Sequence, residues 1–222
     1  MSAEFIGFTQ VEATDVWQPP QSEKCLATLL KKLSDVSLAE AHEALRIRNL
    51  SEHDGSTAPF MKAQEIELGG LIVSVNPFQT PLIETASPQI VLDRMDEQFE
   101  DDKAVLLLHK KNGDPDDNRH HFILLTGYVL LDGARNRDPL KREPVHAIDT
   151  LEEQASYMSR REIAEKIKHS MDFAGVYAYA VSTDANPAPA GGQLTIESRY
   201  DEEPAPIEDT YKTTGQDKIS WD

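Results

Sequence analysis

Residues 120–131 read HHFILLTGYVLL. A short apolar run rich in branched and aromatic side chains, bounded by polar residues, reads as a buried strand. Two histidines open it. Side chains alternate along a strand, so His120 and His121 face opposite sides and only one can look into a cleft. The same alternation makes the pair a poor chelating unit. His121 shares its face with Ile123 and Leu125. An imidazole there needs a partner for its second nitrogen, and a carboxylate from a neighbouring strand end supplies one. A short way downstream stands RDPL (137–140), with Asp138 just before Pro139. Either Asp138 orients His121, or His121 is a half-buried structural histidine and Asp138 caps a turn.

Working outward, KAVLLLHKK (103–111) is a second strong strand, and NGDPDDN (112–118) between the two is turn chemistry. AGVYAYAVS (174–182) is a closing strand, and LIVSVNPF (71–78) a shorter one. The helices come first. Leu26, Leu29, Leu30 and Leu33 repeat at helical spacing and predict a helix over about 22–33, with Ser22 as N-cap. SLAEAHEALRIR follows, with Ser37 and Glu40 forming a capping box. APFMKAQEIELGG (58–70) reads as a helix closed by Gly69 and Gly70. SPQIVLDRMDEQFEDD (87–102) reads as another, capped by Ser87 with Pro88 in its first turn. VHAIDTLEEQASYMSRREIAEKIKHSM (145–171) reads as mostly helical. Helices early and strands late predict an α+β fold with a mostly antiparallel sheet. Residues 1–183 form the domain. Residues 184–222 are acidic and Pro-containing, and read as a mobile extension.

Bulk properties narrow the function classes. The chain has 222 residues, enough for one core. Its net charge of −17 repels phosphate backbones and argues against nucleic acid as a partner. No run approaches the ~20 apolar residues of a membrane helix. The first residues carry acids and no basic leader pattern, so the expected compartment is the cytoplasm, although leaderless secretion would leave no mark. The one cysteine, Cys25, forbids an intramolecular disulfide and a cysteine metal cluster.

The order of elements resembles the C39-like branch of the papain-like cysteine peptidases over roughly residues 15–182. The pieces that carry it are the S-L-x-E helix start, the H-F-I-L-L-T-G-Y strand (121–128), Asp138-Pro139, and TLEEQASYM (150–158), which looks like the family's short helix. The resemblance implies a papain-like fold acting on a peptide or amide, with no cofactor. It assigns the base to His121 and the orienting carboxylate to Asp138. The thiol is Cys25, in the first turn of its helix if Ser22 caps, where the helix dipole lowers a thiol pKa. Gln18, seven residues upstream, is the candidate oxyanion donor. Trp17, Pro19 and Pro20 would shape the cleft wall.

Family members begin this helix with Cys-Gly-Pro. Matching CLATLLKKL to their leucine pattern puts the nucleophile position at Gln21, where this chain reads QSEK, and makes Cys25 a packing residue. Two readings therefore compete. Either Cys25 attacks and the protein is a thiol hydrolase or acyl transferase, or the nucleophile is gone and the cleft binds a peptide or protein partner.

Other candidates carry less. DPDDN (114–118) lacks the glycine and bidentate Glu of a calcium loop. The seven histidines show no metal-ligand spacing. His109 precedes two lysines and reads as a surface histidine. The acids of MDEQFEDD (95–102) read as a solvated helix face.

Overall fold

In the computed structural model, residues 3–9, 25–48, 62–80, 83, 87–110, 120–131, 135–152, 155–173 and 176–185 are described. Gln18, Gln21, Ser22, the NGDPDDN turn and the extension from residue 186 lie outside them.

Eight strands form one sheet. They are β1 (Ala3–Gly7), β2 (Gln64–Leu68), β3 (Leu71–Gln79), β4 (Ala104–Lys110), β5 (His120–Leu131), β6 (Val145–Asp149), β7 (Ser156–Met158) and β8 (Tyr177–Ala185). The order is β2-β3-β8-β4-β5-β6-β7, with β1 pairing the far half of β5. Every pairing is antiparallel. The helices are α1 (Cys25–Ser34), α2 (Leu38–Ile47), α3 (Pro88–Glu100) and α4 (Arg160–Phe173), with a 3-10 turn at Pro139–Lys141. The expected α+β class with a mostly antiparallel sheet is what the chain adopts.

The sheet is buried on both faces, which is why its central strands are continuously apolar. Leu106, Leu108, Phe122, Leu124 and Tyr179 pack with Leu26, Leu29, Leu30 and Leu33 of α1 and with Ala41 and Leu45 of α2. Val105, Leu107, Ile123, Leu125 and Ala178 pack with Val91, Leu92, Met95 and Phe99 of α3 and with Ile163 and Ile167 of α4. Odd and even positions of β4 and β5 thus go to different helical layers, as a two-residue period requires.

Several local expectations change. QEIEL, read as part of a helix, is β2: Ile66 and Leu68 are buried while Glu65 and Glu67 are exposed. Gly69 and Gly70 do not close a helix. Both have positive φ, 54° and 84°, and make the two-residue turn joining β2 to β3. The long helix expected over 145–171 is two strands and then a helix. α4 begins after Ser159, where Ser159 and Glu162 form a capping box: the Glu162 amide donates to Ser159 Oγ and the Ser159 amide to Glu162 Oε2. TLEEQASYM holds a turn and β7 rather than a short helix.

The Ser37–Glu40 capping box forms as expected. Ser87 occupies the N-cap position of α3 but makes no side-chain cap bond. β1 was not expected from its sequence. It meets β5 at Gly7 and Gly127, which stand opposite each other in register with φ of 138° and 149°. A β-carbon on either would collide with the other strand's backbone, so the close approach requires glycine at both. Strand β8 runs to Ala185, slightly past the expected domain end at 183, and the compact unit extends to Ala188.

Candidate functional site

Strand alternation decides which residues can meet. His121 has the parity of Ile123 and Leu125, so it lies on the α3–α4 face. Cys25 is 5% exposed and belongs to the core on the α1–α2 face. The sheet stands between them. The structure therefore does not bring Cys25 and His121 together.

Nor does it bring His121 to Asp138. The Asp138 carboxylate accepts from the Leu140 amide at 3.1 Å and pairs with Lys141 at 3.3 Å, capping the 3-10 turn. Proline after it fixes the first residue of that turn, so the local sequence D-P-L has a sufficient structural cause. The partner of His121 is Asp149, at the end of β6. His121 Nε2 donates to Asp149 Oδ1 at 2.7 Å, and an ionised carboxylate, which only accepts, assigns the proton to Nε2. The Leu151 amide donates to the same oxygen at 3.0 Å. Burial pushes the Asp149 carboxyl up, but the His121 hydrogen bond and the nearby charges outweigh it and hold it below the ordinary value.

His109 completes the cluster. It stands opposite His121 in the β4–β5 register, with the two rings edge to face at 5.6 Å. It is buried, so the expectation of a surface histidine fails. The physical reason is its parity with Val105 and Leu107 on a central strand. One ring nitrogen of each histidine and a carboxylate oxygen of Asp149 lie within 4.8 Å of one another. Three adjacent strands supply these three donors, all on one face.

Asp149 also lines a cavity of about 410 Å³, walled by Glu152, Ser156, Tyr157 and Met158 around β7 and by Glu162, Glu165 and Lys166 of α4. Four carboxylates face one ammonium there. The exposed Tyr157 ring packs edge to face on His146 at 5.5 Å, and His146 Nδ1 shares a hydrogen bond with Thr126 Oγ1 at 2.7 Å. Burial holds the His146 imidazole below its ordinary value.

A second polar group on this face is an ion cluster. Asp96, expected on a solvated helix face, is wholly buried. Its carboxylate meets Arg160 at 2.7 Å, Arg142 at 2.6 Å and Arg135 at 2.9 Å. Arg142 also pairs with Asp93, Arg135 also pairs with Glu100, and Arg160 lies 5.0 Å from the centre of the Tyr128 ring. Cations and carboxylates balance, and the cluster clamps α3 and α4 to the segment after β5. Its role is structural.

The sequence reading missed His109 and Asp149. The alternation Val105, Leu107, His109 carried the first signal. The second was hidden by reading VHAID as helix. No family model matches the chain, and no curated protein or solved structure matches it. The C39-like resemblance therefore rests on the sequence pattern alone.

Proposed function

We propose that this chain acts by binding and not by thiol catalysis: a cytoplasmic, papain-like module of the C39-like kind that holds a basic, extended peptide segment in the cavity beside Asp149. The observation that carries this reading is the sheet lying between Cys25 and His121. A thiol hydrolase needs its nucleophile and base within hydrogen-bond reach. Cys25 packs among leucines instead, as a small apolar residue does.

The cavity supports the choice of partner. Asp149, Glu152, Glu162 and Glu165 favour a Lys or Arg side chain, and the Tyr157 ring offers a face to the same cation. The net charge of −17 draws such a segment in. Strand β7 ends the sheet among the described residues, so an extended main chain can lengthen it there.

Fluorescence polarisation with labelled Lys-rich and Glu-rich peptides of equal length tests the partner. The Lys-rich peptide should bind, more weakly as salt rises, and lose about tenfold or more in a Glu162→Lys, Glu165→Lys variant. Equal binding of both peptides, or indifference to the variant, defeats the reading. Iodoacetamide tests the other half. Cys25 should react only after denaturation. Fast alkylation of the folded chain with an apparent pKa well below about 8.5, lost in His121→Ala or His120→Ala, would make the protein a thiol enzyme.

A further inference from the structure

We propose that His109, His121 and Asp149 form a binding site for one divalent ion of the zinc class, with an open coordination position toward the cavity beside β7 and α4. This site stands independently of the peptide reading.

The first observation is convergence. Strands β4, β5 and β6 are neighbours in the sheet, and each contributes one donor to the same face. The donor atoms lie within 4.8 Å of one another, and two of them are already 2.7 Å apart. Bonds from zinc to nitrogen or oxygen of about 2.0–2.2 Å put neighbouring ligands roughly 3–3.5 Å from each other. Taking the ion requires the His121–Asp149 pair to release its shared proton and open slightly while the His109 ring closes in.

The second observation is the donor set. Two imidazoles and one carboxylate suit a borderline ion such as Zn²⁺, and not Ca²⁺ or Mg²⁺, which take oxygen shells. Three protein ligands leave a position for water or an incoming group, the pattern of an open zinc site. Asp149 stands in the cavity wall, so one of the three ligands borders solvent-accessible space.

The third is placement. The strands around the three side chains are apolar on the same face, with Leu107, Ile123 and Ala147 wholly or nearly wholly buried. Ligands held on sheet strands are placed more reproducibly than ligands on loops.

Isothermal titration of the full chain with ZnCl₂ tests the site. One equivalent should bind, and affinity should fall by about tenfold or more in His109→Gln and in Asp149→Asn. Cys25→Ser should bind as the wild type does, which separates this site from thiol capture. Absence of stoichiometric binding, or binding that neither variant weakens, overturns the proposal. Because both histidines are buried, a variant that does not fold is replaced by a wild-type measurement. Crystals grown with equimolar ZnCl₂ should show an anomalous peak among the three side chains. A peak elsewhere, or none, overturns the proposal.

Discussion

The two faces of the sheet are built on opposite plans. The face under α1 and α2 is an apolar seal: Cys25, Leu26, Leu29, Leu30 and Leu33 meet Leu106, Leu108, Phe122 and Leu124. The face under α3 and α4 has its own apolar core but adds Asp96, Arg160, His109 and His121, all buried. Buried charge and imidazole are costly unless paired. On this side they are paired, Arg160 with Asp96 and His121 with Asp149. The thiol, the most reactive side-chain type in the chain, sits on the other.

The contrast is broken most severely at Asp96. Asp96→Ala leaves Arg160 buried without its carboxylate, and should lower unfolding free energy by about 3–5 kcal/mol in urea melts. A loss below 1 kcal/mol would mean the guanidinium reaches water. Leu30→Ala attacks the sealed face by a different mechanism, an apolar cavity, and should cost about 3 kcal/mol in the same assay. Unlike Asp96→Ala, its effect should not change with ionic strength.

Asp149→Asn is subtler and reads out in pH. The folded-state carboxyl is held below its ordinary value of 3.8. Such a group contributes stability that is fully present above the ordinary value and is lost as pH falls through the folded one. The wild type should therefore lose this increment in acid below about pH 4, and Asp149→Asn should show a shallower acid limb. Identical limbs would show that the His121 pair adds nothing. The smallest effect concerns the chain's end. Stopping after Ala188, where the compact unit closes, should shift Tm by no more than about 2 °C in a calorimetric scan.

Legibility followed burial and length. β3, β4, β5 and β8 are strands of at least seven residues, and the apolar stretch in each marks it in the sequence. α2 shows its capping box and α1 its leucine spacing, whereas Ser22, read as the α1 cap, lies outside the described residues and Ser87 of α3 makes no side-chain cap bond. β2 and β7 were hidden. QEIEL is made of good helix formers, and pairing with β3 overrode that preference. SYM is too short to display a period at all. The candidate site was half visible. His121 and its need for a carboxylate could be read from β5. The identity of that carboxylate could not, because Asp149 follows from the β5–β6 register, where Ile123 stands opposite it, and Asp138 was nearer a recognisable motif. Cys25 shows the complementary error: a reactive residue type drew attention that its leucine-rich surroundings did not justify.

One feature of the sheet bears on how the protein is made. Among the described residues β8 is the last strand in chain order, yet it lies between β3 and β4, bonding to both. Until residues 177–185 emerge, β3 and β4 lack the strand that bonds them into one sheet. The sheet cannot close before residues 177–185 are made. A nascent chain of this kind is exposed to misassociation for most of its synthesis. A premature stop upstream of β8 would yield an unjoined, aggregation-prone product, not a smaller functional protein.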